Sequence, residues 1–306
     1  GDKPTLEQLK AIAYTLTSAL EMAAGLRPAT DFFQQLQTAE GELKTIHAQQ
    51  VLAEKQLQKL ALDTLVKKAG ISRHQIGLAF SGDLLNQCVG AAYGLKDFNV
   101  PYFGLYGACS TAAEGLVLAA MLVSGGVLDR VAALASSHNC TAERQYRSPI
   151  EYGAQRAPTA QWTATASGAV VVGQGSGPRV QAVCIGRVQD AGVTDANNMG
   201  AAMAPAAADT LSRFFADTAT SPTDYDLIVT GDLGKVGADL CRQLMADKGY
   251  TLGGNYTDCG LLLFDRQRQD VHAGASGCGC SASVLCAYLL PMLERGELRS
   301  LLFCPT

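Results

Sequence analysis

Apolar positions along this chain change their spacing twice, in the same order. Residues 60–68 and 206–215 carry apolar side chains at helical spacing, and each run leads into a short, nearly continuous apolar stretch of strand length, 76–80 and 225–229. Both stretches end in Gly-Asp-Leu, at Asp83 and at Asp232. Each copy then reaches a Cys-Ser pair among small residues, Cys109-Ser110 and Cys280-Ser281, followed by an apolar helical segment, a glycine and a closing strand. The interval from the Asp to the Cys is nearly twice as long in the second copy, and its extra residues predict an added strand over 260–264 with a turn over 265–270. A β-α-β unit that occurs twice predicts a duplicated, pseudo-twofold α/β fold, because self-similarity reports architecture more directly than a single motif does.

The remaining segments fit around these copies. Residues 5–24 are helical by periodicity, 25–28 punctuate them, and a second helical region runs over 32–68. Three regions follow: an N-terminal helical region over 1–50, a first half over 51–200 and a second half over 201–306. Between the copies, 136–162 reads as a long polar loop with aromatics, and 164–190 as a hairpin turning at 174–178. The Ala-rich stretch 202–211, with Pro205 near a helix start, suits a closely packed interface helix.

Composition narrows the function classes. With 306 residues and 48% hydrophobic content the chain can bury a sizeable core. Its most apolar helical segment, 115–123, is far short of the roughly 20 residues a membrane span needs, and no basic region precedes an apolar signal core. A net charge of −4 with scattered Lys and Arg leaves no footprint for nucleic acid. The ten cysteines sit inside apolar elements, which suits reduced thiols of a cytosolic compartment better than a disulfide framework. Cys278-Gly-Cys280 is a close pair without a second pair at metal-ligand spacing, so neither a metal site nor a cofactor is expected.

Chemistry concentrates at a few positions. Cys109 follows a predicted strand over 102–105 and precedes a helix beginning near Thr111. A thiol there feels the helix dipole, which favours thiolate and a nucleophile's role; equally, a small buried Cys beside Gly107, Ala108 and Ala112 allows close helix packing. Cys280, at the matching turn of the second copy, and Cys278 are expected to line or support the same site. His138 stands just past a predicted strand over 131–135, with Arg144 and Arg147 nearby, where strand ends deliver side chains into α/β clefts. These groups can hold an anion, since Arg forks match carboxylates; the plainer reading pairs the arginines with Glu143 and Glu151 in a solvated loop. Asp83 and Asp232 can cap the helices that follow them, and for Asp83 that reading is preferred. His47 and His74 are read as surface residues, and His272 is left open.

A helix-N-terminal Cys in one of two β-α-β repeats resembles the thiolase superfamily, which implies a five-layered α/β/α/β/α fold and a homodimer. Within it, "GDLLNQ", "FGLYGACST", "SSHNCTAERQYR", "TATASGAVVV", "DYDLIVTGDLG" and "SGCGCSA" are similar to the stage V sporulation protein AD family. That resemblance, close over 70–302, implies a dipicolinic acid binding component of the machinery that moves calcium dipicolinate across the inner spore membrane. The implied partners are dipicolinate and the membrane-embedded proteins of that channel, with calcium present only as the chelate. The implied location is the cytoplasm or forespore, peripheral to the membrane. The first fifty residues and the absent final hairpin depart from the family's pattern. In the ketoacyl-synthase branch the strand similar to "DYDLIVTGDLG" ends in a catalytic His; Gly231-Asp232-Leu233 stands there instead, and Cys278 stands about where a catalytic Asn is expected. Condensation without those groups lacks its preorganised electrostatic stabilisation. An acyltransferase or thioesterase with Cys109 as nucleophile is the alternative.

Overall fold

The computed structural model describes residues 30–146 and 156–306. Residues 1–49 and 50–306 form two units. A single helix, α1 (Thr30–Ala69), matches the helical region predicted over 32–68; the helix expected over 5–24 lies outside the described residues. From here the second unit alone is considered.

The first copy builds β1 (Leu78–Gly82), α2 (Val89–Leu95), β2 (Tyr102–Gly104), α3 (Thr111–Ser124), β3 (Arg130–Ser137), α4 (Asn139–Tyr146), β4 (Trp162–Thr163) and β5 (Ala166–Gly173). The second builds α5 (Met199–Thr218), β6 (Leu227–Thr230), α6 (Gly234–Asp247), β7 (Tyr256–Asp258), α7 (Cys259–Leu262), β8 (Ala275–Ser276), α8 (Cys278–Val284), α9 (Leu290–Glu294) and β9 (Leu301–Cys304). The sheets run β2-β1-β3-β5 and β7-β6-β9. All pairs are parallel except β3 with β5, where Arg130 faces Gly173 and Ser137 faces Ala166. A small parallel pair, β4 with β8, ties the halves together at Trp162 and Ala275.

The strands read as continuous apolar runs because both faces are covered. On the first sheet Ala79, Ala132 and Leu134 pack outward on Leu62, Leu95 and Phe98. Leu78, Phe80, Val131 and Ala133 pack inward on Ala119 and Val123 of α3. Helix α8 meets the first copy through Cys278 and Ala282, against Leu84, Ala112 and Ala135, and the second sheet through Cys280 and Val284, against Val229. The far face of β6 meets α5 and α6 through Ile228, Ala204, Leu211, Phe215 and Met245. The order is therefore helix, sheet, helix, sheet, helix, the five-layered arrangement expected of a thiolase-like fold.

Four local expectations are corrected. The strand expected over 260–264 is the short helix α7, because the Asp258 carboxylate accepts the Gly260 N–H at 2.9 Å and turns the chain out of β7. The hairpin over 164–190 does not form: after β5, residues 174–190 contain no strand, and Ile185 and Val188 are exposed. The Arg187–Asp209 ion pair at 2.9 Å and an Arg213 Nη1 bond to the Ile185 carbonyl at 3.4 Å tie this segment to α5 in place of a ladder. The loop expected over 136–162 contains α4, and α5 begins at Met199, well before Pro205, with the Asn198 side chain accepting the Ala201 N–H at 3.3 Å. The close packing expected of this Ala-rich stretch is with α6, where Gly200 and Gly237 abut.

Candidate functional site

Cys109 lies in a turn, 108–110, that joins β2 to α3. Ala108 holds φ at 49°, a left-handed conformation that costs a non-glycine residue on the order of 1–3 kcal/mol. The Ser110 N–H and hydroxyl both donate to the Gly107 carbonyl, at 3.1 and 2.8 Å, and keep the turn closed. The thiol thus points into the protein, 6% exposed.

The second copy meets it with Asp232, after β6, and Gly277-Cys278, between β8 and α8; Asp232 and Cys278 are fully buried. The Asp232 carboxylate accepts the Gly277 N–H at 2.7 Å and the hydrogen bond of the Cys109 thiol. Gln161 fixes this turn from the β4 side, its Nε2 donating to the Asp232 carbonyl at 2.6 Å and the Ala275 carbonyl at 2.8 Å. The Cys278 thiol donates to the Ser136 carbonyl at 3.0 Å. Cys109, Asp232, Cys278 and Cys280 are therefore brought together, and the Asp83 charge is felt at Cys278.

Of the two readings of Cys109, its burial favours the small packed cysteine over the thiolate. Burial, then the adjoining Asp232 carboxylate, raise this thiol well above the usual range, and Cys278 and Cys280 are raised as well. Removing a proton here would place an anion in a dry interior beside a carboxylate, and this outweighs the pull of the helix terminus.

The two Gly-Asp-Leu turns have different tasks. Asp83 caps the local backbone, accepting the Leu85 N–H at 2.7 Å and the Ala91 N–H at 2.6 Å, the reading preferred from sequence. In the second copy Asp258 takes over that work. Its carboxylate accepts from Thr230 Oγ1 at 2.7 Å and from the N–H groups of Leu233, Gly234 and Gly260 at 2.9, 3.0 and 2.9 Å. Asp232 is thereby released to face Cys109. Glycines let α8 come this close: a Cβ on Gly277, at φ 102°, would lie 2.9 Å from Ser137 Oγ, and one on Gly279 would lie 2.3 Å from the Ala166 carbonyl oxygen.

Sequence reasoning missed the polar floor beside this site. Glu54 and Gln58 on α1 are buried; Gln58 Nε2 donates to the Gly82 carbonyl at 2.9 Å and Ser136 Oγ at 2.8 Å, and Ser81 donates to Gln58 Oε1 at 2.7 Å. The available signal was their spacing, since 54, 58 and 62 share one helical face. Burial and the Asp83 charge push Glu54 up to about 8, and burial pushes Asp83 up to about 6.

The expected anion cluster is placed only in part. His138 is half-buried beside Thr141 Oγ1 at 2.9 Å, and burial lowers it below the usual imidazole range, so at neutral pH it contributes hydrogen bonds rather than charge. Arg144 lies within α4, and Arg147 lies outside the described residues. Glu143, the partner proposed for these arginines, pairs with Arg156 at 2.9 Å, and Arg156 stacks on Trp162 at 3.7 Å. His74 is exposed, as expected, while His272 is partly buried beside Asp270 at 3.5 Å. Among the described residues no group of three or more His, Cys, Asp or Glu side chains is arranged to hold a metal, and no helix is long and apolar enough to cross a membrane.

The arrangement resembles known architectures. OleA from Xanthomonas campestris with bound lauric acid and lauroyl-CoA superposes with a TM-score of 0.56 at 14% identity, over 80% of this chain and 75% of that one. FabH, a 3-oxoacyl-(acyl carrier protein) synthase III from Pseudomonas aeruginosa PAO1, gives 0.52 at 13% identity, over 79% and 75%. These likenesses establish the thiolase-like fold. Stage V sporulation protein AD of Bacillus subtilis (strain 168) is 44% identical over 248 residues, 81% of this chain and 73% of that protein. The family model described as Stage V sporulation protein AD matches residues 17–306, and the chain belongs to that family.

Proposed function

We propose that this protein is a dipicolinate-binding component of the spore inner-membrane transport machinery, acting in sporulation and germination without condensation chemistry. The observation that carries the non-catalytic part is the contact between Cys109 and Asp232. The turn where condensation would need a His to polarise a thioester carbonyl presents a buried carboxylate, which cannot stabilise a developing oxyanion, and burial beside it keeps the proton on the sulfur. Membership of a sporulation family supports the ligand assignment.

Electrostatics directs the ligand outward. A bare dianion is repelled by Asp232 and Asp83, whereas His138, just past β3, offers a hydrogen bond, and Arg144 and Arg147 are the sequence's candidates for the positive charge. Calcium enters only as the chelate, whose metal cancels the ligand's charge. The protein docks as a peripheral subunit on membrane-embedded partners and forms a homodimer through the edge that includes β5, whose exposed side would otherwise invite aggregation.

Calorimetric titration with dipicolinate, with and without calcium, tests this reading. Charge-assisted bonds to a carboxylate contribute about 1.5–3 kcal/mol each, so His138→Ala and Arg144→Ala should each weaken binding roughly ten- to a hundredfold. Cys109→Ala should weaken it less. The absence of heat with either form of the ligand refutes the assignment. Covalent labelling of Cys109 by an acyl thioester would instead support acyl transfer.

A further inference from the structure

Glu54 stands out as a buried acid that the site above does not use. Its side chain is 1% exposed, on the face of α1 that packs against the first sheet, and Asp83, fully buried, approaches it from the turn after β1. Gly90 of α2 separates them: a Cβ built there would lie 2.4 Å from Glu54 Cγ and 3.1 Å from Asp83 Oδ2. Gly90 therefore lets the Glu54 side chain and the Asp83 carboxylate approach across a gap too small for a methyl group, close enough that Glu54 feels the Asp83 charge.

Their hydrogen bonding is unequal. Asp83 accepts short backbone bonds on both oxygens, at 2.7 and 2.6 Å, which suit an ionised carboxylate. Glu54 accepts one long bond, from Ser136 Oγ at 3.3 Å, and its Oε2 has no partner among the described residues. Among the described residues the other titratable groups facing this pair are Cys88 and Tyr102, beside Asp83, and Cys278, beside Glu54; burial raises all three, so each is neutral. Among the described residues no Lys or Arg forms an ion pair with either acid, and the neighbouring Lys55 faces Asp97 at 4.0 Å.

We propose that Glu54 is a proton-operated latch: with its proton it seats residues 50–69 of α1 on the first sheet, and without it the like charges of Glu54 and Asp83 loosen that segment. The direction of the effect follows from linkage. Glu54 titrates in the fold at about 8 against an ordinary 4.5, so the seated state keeps a proton that the loosened state has lost throughout that interval. Seating is complete below the ordinary value and weakens as pH rises towards the folded value, by about tenfold in the opening equilibrium per pH unit. Between pH 6 and pH 8 local opening should rise roughly fiftyfold. The latch also touches the candidate site, since Ser136 links Glu54 to the Cys278 thiol.

Hydrogen exchange on the full chain at pH 6, 7 and 8, corrected for the intrinsic rate, provides the test. The parent should lose protection in residues 50–69 by at least tenfold across this range, while the β3 amides lose much less. Glu54→Gln, which keeps the shape and removes the charge, should abolish the pH dependence. Protection in 50–69 that does not change with pH in the parent overturns the proposal, and this measurement stands even where the variant fails to fold. Equal pH dependence in the parent and in folded Glu54→Gln overturns it as well.

Discussion

Gly279→Ala probes the closest approach on which the site depends. A Cβ at this position would lie 2.3 Å from the Ala166 carbonyl oxygen, 2.5 Å from Ser137 Oγ and 2.6 Å from the Ser137 nitrogen. Two of these neighbours are backbone atoms of β3 and β5 and cannot turn aside, so relief to about 3.4 Å requires α8 to withdraw by about 1 Å. Over-packing of this kind costs about 1–3 kcal/mol. The withdrawal also stretches the Gly279 N–H bond to Ser137 Oγ (3.2 Å), the Cys278 bond to the Ser136 carbonyl (3.0 Å) and the Gly277 bond to Asp232 (2.7 Å). Losing one buried bond adds about 1–3 kcal/mol, while alanine's better helix propensity returns about 1 kcal/mol. The net destabilisation is about 1–5 kcal/mol, or a thermal midpoint lowered by roughly 2–10 °C. Differential scanning calorimetry of parent and variant reads it. A midpoint within a degree of the parent's would refute the argument that this contact is rigid.

Two further outcomes are expected. Burial raises Asp83 from 3.8 to about 6 and Asp258 from 3.8 to about 7, so the fold holds protons that the unfolded chain has lost. Their contribution to stability is complete below about pH 4 and is lost as pH rises through the folded values, at about 1.4 kcal/mol per pH unit for each group in its window. Asp83→Asn should reduce the pH 4.5 to 6 slope of the urea midpoint, and an unchanged slope would count against the assignment. In brief iodoacetamide treatment near neutral pH, exposed Cys140 should be alkylated well before buried Cys109; peptide mapping with the reverse order would sink the account of the thiol.

Much of the architecture was legible because it is written in local periodicity. The apolar runs ending at Asp83 and Asp232 are β1 and β6, the segment beginning near Thr111 is α3, and the final apolar stretch is β9. The capping role of Asp83 was also legible, since its acceptors serve backbone donors within eight residues. Where short-range signals misled, a contact from elsewhere decided the outcome. Residues 260–264 have strand-like composition, yet Asp258 turns them into α7 while anchoring Leu233 and Gly234 of a different turn. Residues 179–190 look like a strand, but pairing needs a neighbour's backbone, and this segment is tied through side chains to α5.

By itself, then, the sequence determined that two similar units exist, where their turns lie and that a Cys precedes the first inner helix. The chemistry of that Cys was decided only in three dimensions. Its intrinsic helix-terminal setting favours a thiolate, but Asp232, far along the chain, delivers a carboxylate to it inside a desolvated interior. Proton affinity depends on solvation and on charges within a few ångströms, and neither is a property of neighbouring residues in sequence. The same holds for Glu54, an ordinary helical glutamate in the sequence that becomes a proton carrier once the fold sets it against Asp83 across Gly90.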